Sequence, residues 1–148
     1  MEFRTAAQKA CYDKIASWMK ELFGELAVMR DDAPMVGVMM GSALAQVAVW
    51  PWGDDDATIT TRAYLVTGAE LTPDLMRYLL QKNADMRFGA FGVDQDGDIL
   101  FEHSIVGSSC DKGELKASVL SVLATADKYD DEIVARWGGE RMLDRMRR

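Results

Sequence analysis

From Thr5 to Gly24 the apolar residues Ala7, Cys11, Ile15, Trp18, Met19, Leu22 and Phe23 recur at helical spacing, with Lys9, Lys14 and Lys20 elsewhere around the wheel. The pattern predicts an amphipathic helix stopped by Gly24. Between Leu26 and Gly68 the apolar period shortens, and β-branched and aromatic runs are punctuated by turn residues. Met35 to Met40, Leu44 to Trp50 and Thr58 to Thr67 are the three long strands this predicts, with Leu26 to Arg30 a weaker fourth. Gly41-Ser42 is a two-residue hairpin signal and Trp52 to Asp56 a longer acidic turn, so the strands form an antiparallel meander.

Helical spacing returns after Leu71. Thr72 can cap, Pro73 suits the first helical position, and Leu71 can staple onto Met76. Leu75, Met76, Leu79 and Leu80 form the stripe expected to be buried. Phe88 to Val93 and Ile99 to Val106 read as a second hairpin, joined by Asp94-Gln95-Asp96-Gly97-Asp98. Asp111 and Glu114 stand at capping-box spacing, and apolar positions from Leu115 to Trp137 continue to a Gly138-Gly139 stop. Unbroken, that last helix is about 39 Å long at ~1.5 Å per residue, so its far end is expected to overhang a small sheet or pack on a partner. The predicted fold class is α+β, in the order helix, three-strand antiparallel meander, helix, two-strand hairpin, helix. No repeat or linker divides residues 1–148, which predicts a single domain.

Composition narrows the function classes. A chain of 148 residues buries roughly 70% of its unfolded surface, enough for a full core without staples. Its 49% hydrophobic and 28% charged residues exclude a disordered chain. A net charge of −7 argues against nucleic acid, whose backbone is bound by clustered Lys and Arg. The one basic cluster, Arg141, Arg145, Arg147 and Arg148, reads as a frayed tail. Cys11 and Cys110 form neither a CxxC pair nor a Cys/His ligand set, which fits reduced thiols in the cytoplasm. The first residues lack a signal peptide's apolar stretch, and no run of ~18 apolar residues occurs, so a cytoplasmic protein with no membrane partner is expected.

Catalytic chemistry finds little support. His103 is the single histidine and alternates with Phe101 and Ile105, so it reads as a sheet residue serving packing or a hydrogen bond. Asp94, Asp96 and Asp98 resemble the start of a calcium loop, yet Gly97 stands at the fourth position and Ile105 at the twelfth, where that loop needs its glycine at the sixth and a glutamate at the twelfth. A turn is the better reading there, and a solvated loop is the better reading for Asp54, Asp55 and Asp56. No phosphate loop, nucleophile elbow or dinucleotide fingerprint is present. The expectation is therefore no enzyme, no metal and no cofactor.

Apolar surface remains. Leu44, Gln46, Ala48, Trp50 and Trp52 would share one face of their strand, and Ala45, Val47 and Val49 the other, so both faces are largely apolar. Either helices sandwich the sheet, or one face meets a second copy or a client peptide. Trp50 and Trp52, flanking Pro51, are the leading candidates for partner contacts, joined by Met39 and Tyr64 on the neighbouring strands. Methionines at 29, 35, 39 and 40 suit an adaptable surface, although filling the core would explain them as well.

The segments VAVWPWGDDDATIT, VTGAELTPDLMRYLL, FGAFGVDQDGDILFEHSIVG and YDDEIVARWGG, in this order of elements, resemble the YbjN family, which is similar to the class I type III secretion chaperones. The resemblance runs from about Ala6 to Gly139 and rests on turns and caps rather than on a reaction motif. It implies a helix-and-twisted-sheet fold, a homodimer without cofactor, and a protein or peptide client held as an extended or partly folded segment. The alternative is a regulatory domain, in sensory transduction or stress adaptation, that binds one folded partner.

Overall fold

A computed structural model describes residues 1–148. Helix α1 (Ala6–Phe23) starts where the Thr5 hydroxyl accepts the Gln8 N–H at 3.0 Å and stops at Gly24, φ 54°. After a short 3-10 turn come strands β1 (Ala27–Met29), β2 (Met35–Met40), β3 (Ala43–Trp52) and β4 (Asp56–Thr67). Helix α2 (Pro73–Asp85) is capped by Thr72, whose hydroxyl accepts the Leu75 N–H at 3.1 Å. Strands β5 (Ala90–Val93) and β6 (Ile99–Val106) follow, then helix α3 (Lys112–Trp137), with the Asp111 carboxylate accepting the Glu114 N–H at 2.7 Å. A two-residue strand β7 (Glu140–Arg141) and a short helix α4 (Met142–Met146) complete the chain. The elements are those the sequence predicts, with Ala27–Met29 now a strand and β7 and α4 added.

Meander and hairpin are one antiparallel sheet in the order β1-β2-β3-β4-β6-β5, because β6 pairs β4 from Thr58↔Val106 to Val66↔Ile99. The chain leaves β4, runs through α2 to the outer position at β5, and returns beside β4 as β6. Strand alternation then sorts the side chains. Along β4, Ala57, Ile59, Thr61, Ala63 and Leu65 are buried, and Thr58, Thr60, Arg62 and Tyr64 between them are half-buried. The apolar members of the buried set join Val36, Val38, Ala45, Val47, Val49 and Phe101 in one cluster with Ile15 and Met19 of α1, Leu75 and Leu79 of α2, and Leu115, Val119, Val122 and Ile133 of α3. All three long helices therefore cover the same sheet face, and the sandwich arrangement is ruled out.

Some expectations are corrected. Leu80 is 69% exposed, not part of a buried stripe. Helix α2 lies against the end of the sheet at β5 and meets α3 through the Tyr78–Trp137 ring pair, so a narrow i, i+4 stripe of Leu75 and Leu79 is all it buries, and Leu80 sits one position further round. Nor does α3 overhang. Trp137 packs 5.0 Å from the Tyr78 ring of α2, and the Arg136 guanidinium lies over both rings, 5.0 Å from Tyr78 and 4.2 Å from Trp137. Past Gly138 the arginine-rich segment is ordered into β7 and α4 instead of fraying, because β7 pairs β4 through Val66↔Arg141 and Thr67↔Glu140. Gly139, φ 80°, passes so close to β4 that a Cβ would lie 2.5 Å from the Thr67 carbonyl oxygen and 2.6 Å from the Ala69 nitrogen. Only glycine fits that crossing.

Candidate functional site

The sheet face opposite the three long helices is left uncovered by them. Register fixes its rows. Gly37, Gln46, Arg62, Glu102 and Ala90 stand side by side across β2, β3, β4, β6 and β5. On one flank lie Met35, Ala48, Thr60 and Ser104, then Trp50, Thr58 and Val106, then Trp52 beside Asp56. On the other flank Met39 faces Leu44, and Tyr64 faces Leu100. The middle is thus polar and both ends are apolar.

The four residues expected to contact a partner all fall on this face. Trp50 is 38% exposed, Trp52 57% and Met39 44%. Tyr64 is half-buried, for a reason the sequence does not show: α4 crosses onto this face and lies beside it. Leu143 of α4 is buried, as are Ala48 and Leu100, yet none of the three belongs to the main core cluster. Met142, Leu143 and Met146 line a hollow of about 210 Å³ with Leu44, Arg62 and Tyr64. A second hollow of about 390 Å³ lies between Met35, Trp50, Thr60, Arg62 and Glu102.

The polar middle is internally paired. The Arg62 guanidinium reaches Glu102 at 2.6 Å through Nη2 and 2.7 Å through Nε, and Thr60 Oγ1 meets Ser104 Oγ at 2.8 Å. Such a paired stripe presents few unmet donors and offers rigidity more than charge. The β2–β3 turn that aims Met39 and Leu44 is pinned to α3, where the Ser42 N–H donates to Asp127 at 2.9 Å and its hydroxyl lies 2.9 Å from Asp130. Burial pushes the Asp130 carboxyl up from its ordinary value, whereas the Ser42 hydroxyl and N–H hold Asp127 down.

The other candidate residues lie in the following surroundings, and carboxylate oxygens of Asp94, Asp96 and Asp98 come within 4.8 Å of one another. His103 points to the helix side, its Nδ1 2.8 Å from Ser118 Oγ and its ring edge-on to Phe88 at 5.7 Å. Ser118 is 1% exposed, so this Ser–His contact cannot present a nucleophile to a substrate. Burial lowers the His103 pKa, which keeps the ring neutral. The Asp94 carboxylate accepts the N–H groups of Asp96 at 3.0 Å and Asp98 at 2.9 Å, closing the β5–β6 turn. Asp56 accepts the hydroxyl and N–H of Ser108 at 2.7 and 3.0 Å, and these bonds, the hydroxyl's foremost, lower its pKa. Asp54 and Asp55 are exposed. No helix is long and apolar enough to cross a membrane.

A protein family described as T3SS (YopN, CesT) and YbjN peptide-binding chaperone 1, TY-Chap1, matches residues 11–145. The chain belongs to the TY-Chap1 family. Solved structures share the fold of this TY-Chap1 chain. A chain of the ExsC–ExsE complex superposes at a TM-score of 0.64 with 14% identity, covering 87% of this chain and 96% of that one. A chain of the HopA1–SchA chaperone–effector complex gives 0.60 and 10%, covering 80% and 91%. YbjN of E. coli gives 0.55 and 12%, covering 82% and 92%. At these identities the likeness is one of fold alone. No curated protein matches by sequence.

Proposed function

We propose that this TY-Chap1 chain binds an extended or partly unfolded segment of a client protein across its uncovered sheet face, without turnover and without a cofactor. The observation that carries the reading is Trp50 and Trp52, 38% and 57% exposed side by side at the end of a sheet face that no long helix covers. Large apolar side chains grouped on the surface mark interaction sites, and tryptophan is the side chain most enriched where binding energy concentrates. Val28 at 62% and Val106 at 38% extend the patch along the same face. Trp50, Trp52 and Met39 contact the client directly, and Tyr64 does so at the end that α4 shares. Membership of a peptide-binding chaperone family and a fold shared with chaperone–effector complexes support the same class of partner.

The protein acts in the cytoplasm as a homodimer that leaves this face free. Its two cysteines, both unpaired and buried, fit a reducing compartment. The test is a titration of extended apolar peptides against the wild type, Trp50→Ser and Trp52→Ser, with sedimentation in parallel to read the assembly state. Affinity that falls in both variants supports the proposal. Affinity unchanged in both, or saturable binding only of one folded partner, would replace it with the regulatory reading.

A further inference from the structure

We propose that residues 141–148 are an internal ligand of the uncovered face, docked over its Leu44–Tyr64 end and displaced when a client segment takes that end. The inference rests on the client-binding reading above and adds a built-in competitor to it.

Placement comes first. Helices α1, α2 and α3 all pack on the opposite face, and α4 is the helix that crosses to this one. Met142, Leu143 and Met146 fall at positions i, i+1 and i+4, which puts them on one side of a short helix, and that side meets Leu44, Arg62 and Tyr64. The strap thus contacts one of the four residues expected to touch a partner and shortens the apolar surface that a client could use.

The manner of its attachment comes second. The Arg141–Asp144 pair at 2.8 Å and the Arg148–Glu140 pair at 2.7 Å lie within the segment and its approach, so they travel with it on release. Its attachments to the body are the two-residue pairing of β7 with Val66 and Thr67, the single buried side chain of Leu143, and the side-chain bonds Arg141–Asp131 at 3.5 Å and Arg145–Thr67 at 3.3 Å, with Asp131 74% exposed. Exposed pairs of this kind contribute little in water and less in salt. A helix of five residues has no stability of its own, so undocking and melting are one event. The hollow of about 210 Å³ that it lines with Leu44 and Tyr64 shows that its apolar side does not fill this end of the face. Gly138, φ 79° and with open space on its Cβ side, supplies the pivot. A segment held this way occupies the low-stability end of the molecule, where binding elements that must move are found.

The experiment uses three forms of the full domain: the wild type, a chain lacking residues 142–148, and Leu143→Asp. A synthetic peptide of residues 139–148 and the apolar dye ANS serve as probes. If the docked strap leaves the face open on the order of a tenth of the time, removing it raises apparent affinity for an apolar peptide about tenfold. The expected result is greater ANS uptake and about tenfold tighter peptide binding in both variants. The synthetic strap should bind the shortened chain and not the intact one. Unchanged ANS uptake with no binding of the added strap overturns the proposal. Should the shortened chain fail to fold, amide hydrogen exchange on the wild type decides. Amides of Met142–Met146 exchanging at least ~100-fold faster than those in the buried part of α3 support a displaceable strap, and equal protection overturns it. The strap and exchange readouts need no client, so strap binding with no peptide taken at the Trp50–Trp52 end would sink the client reading and leave this one standing.

Discussion

Changing Trp52 to serine separates surface from core at the proposed site. Removing a fully buried large aromatic side chain costs about 3–5 kcal/mol. Trp52 is 57% exposed, so less than half of that contribution is in force, and Trp52→Ser should cost about 1–2 kcal/mol of folding stability. Phe101, at 0% exposed, is the internal control, and Phe101→Ala should cost the full ~3–5 kcal/mol. Binding runs the other way. A tryptophan presents up to ~250 Å², so a client covering the exposed 57% would hide ~140 Å². At ~25 cal/mol per Å² that is ~3.5 kcal/mol, from which immobilising the ring removes about 1 kcal/mol. The remainder of ~2.5 kcal/mol corresponds to a Kd weakened roughly 70-fold. Urea denaturation reads the first quantity and peptide titration the second. A Trp52→Ser variant that loses as much stability as Phe101→Ala would show a core residue. One that keeps its Kd within about threefold would show a bystander, and either result refutes the reasoning.

Two further outcomes follow from the geometry. His103, held neutral mainly by burial with Glu114 pulling weakly the other way, has a folded pKa below its ordinary 6.5. The unfolded chain therefore binds that proton more readily, so the stability of the neutral ring is whole above pH ~6.5 and is lost as pH falls toward the folded value. Melting temperatures measured across that window should drop on acidification in the wild type and drop less in His103→Gln, and equal slopes would contradict the assignment. Gly139→Ala places a Cβ 2.5 Å from the Thr67 carbonyl oxygen at a φ of 80°, a conformation that costs a non-glycine residue on the order of 1–3 kcal/mol. β7 should detach from β4, with ANS uptake rising while far-UV circular dichroism keeps the α1–α3 signal, and uptake equal to the wild type would count against the crossing being as tight as described.

The helices and strands were readable because their period, caps and turns are local. Thr5, Thr72 and Asp111 each accept the N–H expected of a cap, and Gly41-Ser42 turns β2 into β3. Alternation also showed that Leu44 to Trp52 is apolar on both sides. Which side stays open was not legible, because it depends on all three long helices choosing the face of Ala45, Val47 and Val49. Arg62 and Glu102 carry opposite charges in two predicted strands, but 39 residues and a helix lie between them, so no local signal sets the register that pairs them. Glu114 and Asp111 illustrate the reverse case, where three positions of spacing settle the contact. The tail was misread for a related reason. Its four arginines look solvated in sequence, and what orders them is the end of β4 left beyond its pairing with β3, together with the apolar side of Met142, Leu143 and Met146.

The side chain of Asn83 bears on what the borders of this sheet offer to another chain. Its Oδ1 accepts the Phe91 N–H at 2.6 Å and its Nδ2 donates to the Phe91 carbonyl at 3.2 Å, so a single amide imitates the next strand at β5. At the other margin β1 is three residues long and gives way at once to the Arg30–Asp32 ion pair, 2.7 Å across. Growth into a fibre requires a long free margin for the next copy to zip onto, and neither border of this sheet provides one. Backbone pairing with another chain is thereby disfavoured at both borders, and the exposed apolar side chains Trp50, Trp52 and Met39 stand on the flat of the sheet.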